Sequence, residues 1–391
     1  MSDALSGLTI LDFTRLLPGP LATLHFADHG ANVIKVEDVK RGDYARQDMA
    51  FGVSMSHLFH MLNRGKRSIA IDLTQDTGRE IVFRLLEKAD IIVENFRPGA
   101  MARLGVGYDD VKAHKPDIIY CSISAYGATG PRAHLAAHDI NMCGLAGVSD
   151  QIGAADGPPA PSNFQIGDIA GGSLSAINAI LTALVRRERT GDGAYLDISI
   201  TDALIGMNVM PTATKQTFRR PPERGADVLT GALACYGYYP TKDDRYMAVG
   251  ALEPHFWRRF CEAIDRPDLT PLHLSSGDAA LSLRETLTEI FRSRTLDEWT
   301  SFFDDVDCCV TPVLSPNEAT SVEDTTSSPA VRIGRDPKDG DIQHLFGPNL
   351  TVDESAIAAA PRHGEHSHEI LQEANYPSTE IEALAESQTI K

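Results

Sequence analysis

Basic residues are scarce in this chain: 36 Lys and Arg stand against 54 Asp and Glu, leaving a formal net charge of −18 over 391 residues. An acidic excess of this size argues against nucleic acid or an anionic membrane surface as the main partner, although locally grouped cations can still hold an anionic ligand. A secretory signal is missing, because the start, MSDALSGLTI, has no basic stretch followed by an apolar core; a cytoplasmic protein is expected. The six cysteines, Cys121, Cys143, Cys235, Cys261, Cys308 and Cys309, show no CxxC spacing, which points to buried free thiols in a reducing compartment. The longest apolar run, LSAINAILTALV from Leu174 to Val185, stops at RRER; it reads as a buried helix too short to span a bilayer. Internal repeats and low-complexity tracts are also absent.

The length exceeds one core of ordinary size, so two domains are expected. The first half alternates strand-like runs (LTILDF, NVIKVE, SIAIDL, DIIVEN, DIIYCSIS, AYLDISI) with helix-length segments, which predicts a parallel sheet with helices on its faces. The pattern changes beyond Thr201. A polar, proline-bearing stretch up to Asp227 reads as a linker. ALACYGYYPTKDDRYMAVGAL then reads as a hairpin turning at KDD, followed by helical segments of a smaller α+β unit. A Ser/Thr/Asp/Pro-rich connector follows from Ser315, and GEHSHEILQEANY closes the chain as a helix. The expected division is a large α/β domain over 1–200 completed by about 346–391, a linker over 201–227, a small α+β domain over 228–314 and a second linker over 315–345.

The first strand-to-helix turn, LLPGPL, sits where a dinucleotide fold carries G-x-G-x-x-G, but that fingerprint is absent and Glu37 alone does not replace it. A doubly wound domain without a nicotinamide is the better reading. ENFRPGAMARLG offers Arg97 and Arg103 near a helix start. Either alone reads as a solvated helix face; together with Arg15, Lys35, Arg41, Lys66 and Arg67 they predict a phosphate cradle. His138 and Asp139 in AAHDIN, and Asp168 in IGDIAGGS, are ionisable groups in apolar settings. A hydrogen-bonded core histidine and helix caps account for them singly; a carboxylate beside glycines at a helix start, with N–H groups open to a developing oxyanion, is the functional reading. Glu253, in ALEPHFW, is equally an N-cap or a functional carboxylate. His363, His366 and His368 lack a matching ligand cluster, so no metal site is expected and the segment reads as an exposed helix start.

Taken together, LSGLTILDFTRLLPGPLA, LNRGKRSIAIDL, ENFRPGAMARLG, AYGATGPRAHLAAHDIN, IGDIAGGS, ALEPHFW, CVTPVL and PRHGEHSHEIL resemble the family III CoA-transferases, and within that superfamily the α-methylacyl-CoA racemase branch, over essentially the whole chain. The resemblance implies a Rossmann-like large domain, a small central α+β domain, and an interlocked homodimer with the active site between the large domain of one copy and the small domain of the other. It places CoA at Arg15 and Leu16, Leu73 and Thr74, Asn95, Phe96 and Arg97, and Arg103. Asp168 falls on a carboxylate that is the nucleophile in transferases and one of two acid/base groups in the racemase. The racemase's other group, a histidine held by a glutamate, falls on His138 and Glu253. Transferases commonly lack that histidine and often carry a glycine-rich run where this chain has only TGALACYG. The implied activity is racemisation of a 2-methylacyl-CoA through an enolate, with donors around Asp168 and Gly171. The alternative is CoA transfer between carboxylic acids through an aspartyl-CoA intermediate. Neither requires a cofactor beyond the CoA of the substrate.

Overall fold

A computed structural model describes residues 3–47, 56–321, 330–336, 339–347 and 357–391. The chain forms two compact units. Unit 1 comprises Met1–Ala146, Ser162–Met207 and Thr325–Lys391; unit 2 comprises Gly147–Pro161 and Asn208–Asp324.

Unit 1 begins β1 (Thr9–Asp12), α1 (Pro18–Asp28), β2 (Asn32–Asp38), α2 (His57–Asn63), β3 (Arg67–Ile71), α3 (Asp76–Leu86), β4 (Ile91–Glu94), α4 (Ala100–Arg103), α5 (Tyr108–His114), β5 (Ile119–Ser124) and α6 (Asp139–Leu145). A π-helical turn, Gly167–Leu174, then leads into α7 (Ser175–Thr190), β6 (Ala194–Ser199) and α8 (Ile200–Met207). The six strands form one parallel sheet in the order β3-β2-β1-β4-β5-β6. Strands covered by helices on both faces must be apolar throughout. Accordingly Ile10, Leu11, Ile69, Ile91, Ile92 and Val93 are wholly buried. The order reverses between β1 and β4, and a ligand crevice is expected at the strand C-termini beside that reversal.

The long helix begins earlier than its apolar run suggests. The helical stretch runs 24 residues from Gly167 to Thr190 and, by length and composition alone, is long and apolar enough to cross a membrane. Here α7 packs on α1, β5 and β6, and the π-helical turn packs on α1 and α8. Gly171 and Gly172 are required by those contacts: a Cβ on Gly171 would meet the Ile200 carbonyl oxygen at 2.9 Å, and one on Gly172 the Pro18 Cβ at 2.9 Å.

The segment 201–227, expected to be a linker, is largely helical. It holds α8 of unit 1 and α9 (Val209–Phe218), which opens the second part of unit 2. There follow β7 (Tyr236–Pro240), β8 (Tyr246–Gly250), α10 (Pro254–Ala263), α11 (Asp278–Phe291), α12 (Leu296–Phe303), β9 (Val310–Pro312) and α13 (Pro316–Ala319). Strands β7, β8 and β9 form an antiparallel sheet; the third, three residues long, is too short to show as a strand in the sequence. Its core is aromatic, with Trp257, Phe260, Phe291, Trp299 and Phe303 in mutual ring contact.

The chain then returns to unit 1. The stretches 322–329, 337–338 and 348–356 of the expected connector and C-terminal segment lie outside the described residues. The remainder is no simple connector: β10 (Val331–Asp336) and β11 (Gly340–Leu345) form an antiparallel hairpin, followed by α14 (Ser367–Glu373) and α15 (Ser378–Glu386). His60 of α2 meets Asp339 beside the hairpin at 3.0 Å, and Arg362 pairs with both Asp336 and Asp339. His363 and His366 are half-buried rather than exposed: His363 Nε2 bonds the Asp38 carbonyl at 2.9 Å and His366 Nδ1 accepts the Ser68 N–H. Both fasten the returning chain to the sheet. Beyond α15, Ile390 bridges Ile71 and covers the β3 edge.

Candidate active site

A cleft of about 330 Å³ opens in unit 1 where β1, β4 and β5 end. It lies at the β1/β4 reversal, as the topology dictates. Leu16, Asn95, Phe96, Arg97, His138 and Asp168 all line it.

The turn after β1 is held in a demanding conformation. Leu16 has φ 64°, a left-handed value that a branched side chain adopts only when its surroundings enforce it. Two side chains do so. Asn95 Oδ1 accepts the Arg15 N–H at 2.9 Å while its Nδ2 donates to the Arg15 carbonyl at 2.8 Å. Asp43 Oδ1 accepts the Leu16 N–H at 3.1 Å, and Asp43 is paired with the buried Lys35 at 2.9 Å. Arg15 itself lies against aromatic rings, 4.5 Å from the centroid of Phe96 and 5.2 Å from that of Tyr44. Four of the residues expected at a CoA site, Arg15, Leu16, Asn95 and Phe96, are thus brought together, and Tyr44, which no motif singles out, joins them.

Asp168 stands on the π-helical turn, a local irregularity frequent at functional sites. Its carboxyl is pushed up to about 6, first by removal from water and then by the neighbouring charge of Asp139; a charged His138 would act the other way. Asp139 was expected to cap its own helix. Instead His138 is the N-cap residue of α6, its backbone N–H donating to Asn141 Oδ1 at 3.0 Å, and Asp139 Oδ1 accepts the N–H of Asp168 at 2.9 Å. A Cβ on Gly167 would come within 2.8 Å of that same oxygen, so the glycine permits the approach. One carboxylate therefore both anchors the Asp168 backbone and raises the affinity of its side chain for a proton. The thiol of Cys143 is also pushed up to about 11 by burial and Asp139. His138 is exposed at the cleft. Gly171 lies inside the π-helical turn, where its N–H belongs to the helix's own ladder, so the expected oxyanion donor at that position is not open to a ligand.

The expected phosphate cradle is much smaller than the sequence suggested. Lys35 and Lys66 are wholly buried and bound to Asp43 and Asp12; Lys66 also donates to Pro20 O, Thr23 Oγ1 and Asn63 Oδ1. Arg67 is committed to Glu369 and Glu373. Burial of these lysines is tolerable only because each is fully paired. Arg97 and Arg103 are exposed and form no ion pair with the described residues. Leu73 and Thr74 do not line the cleft; their carbonyls accept from Arg79, whose Cδ lies 2.9 Å from where a Cβ on Gly105 would stand.

A second carboxyl near the cleft went unnoticed in the sequence. Glu94, at the end of β4, is buried and pushed up to about 7, chiefly by loss of water. Its Oε2 accepts the Phe96 N–H at 2.7 Å and so shapes the Asn95–Arg97 loop.

Glu253 belongs to unit 2. It is the N-cap residue of α10, but its exposed side chain makes no capping bond, leaving the carboxylate available. Cys309, whose thiol proton is held more tightly by partial loss of water and by the charge of Glu253, is the one cysteine of the six that is not buried. Among the described residues, His60, Asp336 and Asp339 are close enough to hold a metal ion, yet Arg362 already occupies both carboxylates.

The sequence pattern of CoA-transferase family III matches residues 5–367. Alpha-methylacyl-CoA racemase of Homo sapiens is 31% identical over 99% of this chain and 98% of its own length. Succinyl-CoA:glutarate CoA-transferase of Mus musculus is 31% identical over 97% of this chain and 88% of its own. The crystal structure of a CAIB/BAIF family protein from Brucella suis superimposes with a TM-score of 0.79 at 26% identity, covering 96% of this chain and all of that one.

Proposed function

This chain belongs to CoA-transferase family III, and from that premise we propose that it is a racemase or epimerase of 2-methylacyl-CoA thioesters. The observation that carries the reading is the presence of His138 and Asp168 in one cleft, with the Asp168 carboxyl pushed up to about 6. Inversion at a carbon next to a thioester needs a base on one face and an acid on the other, each able to change protonation state near neutrality. His138 removes the α-proton, the electron pair passes into the thioester carbonyl as an enolate, and protonated Asp168 returns a proton to the opposite face. The reverse reaction exchanges the two roles. Arg97 and Arg103, with Arg15 beside its aromatic rings, bind the phosphates of CoA, and Leu73 and Thr74 contribute on the same side of the ligand. The reaction uses no cofactor beyond the CoA of the substrate.

Glu253 orients His138 and is supplied by a second copy of the chain in an interlocked homodimer. Support comes from the free Glu253 carboxylate and from large apolar side chains left exposed on unit 1, among them Ile140, Leu145, Leu174 and Ile205. Sedimentation at micromolar concentration is expected to give a dimer; a monomer mass alone would remove this part of the proposal.

Transfer of CoA between carboxylic acids is the second reading, favoured by the likeness to a succinyl-CoA:glutarate CoA-transferase. There Asp168 attacks the thioester, and the acyl group and then CoA pass through the aspartyl carboxyl. Incubation with a chiral 2-methylacyl-CoA in deuterated water separates the two. Racemisation brings deuterium to the α-carbon without an acceptor acid, and His138→Ala and Asp168→Ala each slow it by about 10²–10⁴-fold. A hydroxylamine-trappable adduct on Asp168 that turns over at the catalytic rate, with no deuterium at the α-carbon, would establish transfer instead.

A further inference from the structure

Unit 2 holds an open cavity of about 810 Å³, within the range of small-molecule sites. Its lining is mostly small or apolar, including Ala155, Leu229, Ala248 and Leu281, and among the described residues Arg284 is the only charged one in it. The cavity is firmly built. Arg224 clasps the 150–157 loop, donating to Gly157 O at 2.8 Å and to Ala154 O at 3.3 Å. Gly231 closes against Gly225 with φ 149°, where any Cβ would strike the Gly225 carbonyl.

Arg284 is half-buried in this wall. Its Nη2 donates to the carbonyls of Gly231 and Leu233, both at 2.9 Å, and its guanidinium carbon lies 5.7 Å from the ring centroid of Tyr239. Among the described residues no carboxylate pairs with it. A Cβ on Gly237 would come within 2.8 Å of Nη1, so the bare glycine leaves that nitrogen room. A guanidinium has five N–H donors, and those on Nη1 and Nε remain unspent here. In a chain with 54 acidic residues, a part-buried cation left without one is conspicuous. Charges are withdrawn from water only at a cost that a partner must offset, and a carboxylate hydrogen-bonded to the free Nη1 group offsets it.

We propose that this cavity is an acyl pocket for short acyl groups that carry a second, distal carboxylate, which Arg284 binds through Nη1. The assignment rests on the acyl-CoA reading above and narrows its substrate class. The bulk of the pocket accepts the carbon chain, and the cation selects its far end.

The test compares short 2-methyl-branched acyl-CoA thioesters ending in a carboxylate with their terminal methyl esters, following both turnover and α-deuterium incorporation. The wild-type protein is expected to favour the carboxylate by about 10²-fold in kcat/KM, as loss of a charged hydrogen-bonded partner commonly costs. Arg284→Gln should erase the preference mainly through KM, and Arg284→Lys should keep part of it. Should Arg284→Gln fail to fold for want of its bonds to Gly231 and Leu233, the wild-type ratio decides alone. Equal kcat/KM for acid and ester, or a preference for the ester, overturns the pocket assignment. Deuterium incorporation without that preference leaves the racemase reading intact and removes the pocket. CoA transfer without deuterium incorporation, but with the preference, removes the racemase reading and keeps the pocket.

Discussion

Replacing Asp168 with asparagine should stabilise the protein at neutral pH while abolishing its proton transfer. The carboxyl is held at about 6 in the fold against an ordinary value of 3.8, so the native protein binds this proton more tightly than the unfolded chain does. Between those two values stability falls as pH rises, because the fold must give up a proton it favours; below about pH 4 the penalty vanishes, and above about pH 6 it is fully present. A displacement of about two pH units is worth roughly 3 kcal/mol. Asp168 retains some contact with water, which screens the Asp139 charge and reduces the figure to about 1–2 kcal/mol. Asparagine has nearly the same shape and no charge to desolvate. Scanning calorimetry at pH 7.5 should therefore show a transition about 2–4 °C higher for Asp168→Asn, and the difference should shrink to nothing near pH 4. A variant no more stable than the wild type at pH 7.5, or one whose advantage grows on acidification, would refute the reasoning.

Asp139→Asn removes the like charge while keeping an oxygen for the Asp168 N–H, so the limb of the pH–rate profile that belongs to Asp168 should move to lower pH. An unmoved limb would show that burial alone sets it. Arg97→Ala and Arg103→Ala should each raise KM for the CoA thioester about 5-fold, the worth of an exposed phosphate contact near 1 kcal/mol, with kcat nearly unchanged; unaltered CoA affinity in both would remove them from the site. Lys66→Ala leaves the buried Asp12 carboxylate without its cation and should cost about 3–5 kcal/mol in urea denaturation. Asn95→Ala frees the Arg15–Leu16 turn, and calorimetric titration with CoA should show weaker binding even though the cations remain.

The parallel sheet was legible because strands buried on both faces are written as runs rich in Ile, Val and Leu, and such runs stand between helical segments; β6, at the sheet edge, has no fully buried residue and alternates instead. The pairing of His138 with Asp168 in one cleft was legible only through the motif resemblance; nothing local in either stretch announces the other. Charge partners were not legible at all. Lys35 and Lys66 look like surface cations in a strand and a turn, and only the fold reveals that Asp43 and Asp12 consume them. Asp139 looked like a cap for the helix it begins, whereas its oxygen serves the backbone of Asp168, 29 residues later. The glycines of IGDIAGGS read as an opening for a ligand but are demanded by packing against Ile200 and Pro18. Glu94 shows nothing in sequence, since its environment is made by neighbouring strands. The β10–β11 hairpin was hidden because its residues are as polar as the connector around them.

The bridge between Ile390 and Ile71 also sets a timetable for synthesis. The β3 edge of the large sheet is completed by the Asp72 N–H to the Thr389 carbonyl at 2.8 Å. Thr389 also donates its hydroxyl hydrogen to Gln75, 314 residues away in the chain. A ribosome adding ~5–20 residues per second takes on the order of 15–60 s to cover that distance. Throughout that interval the emerging sheet presents an unpaired strand edge, the kind of surface to which other extended chains add. Unit 2 is translated almost entirely within the same interval, between the opening of that edge and its closure.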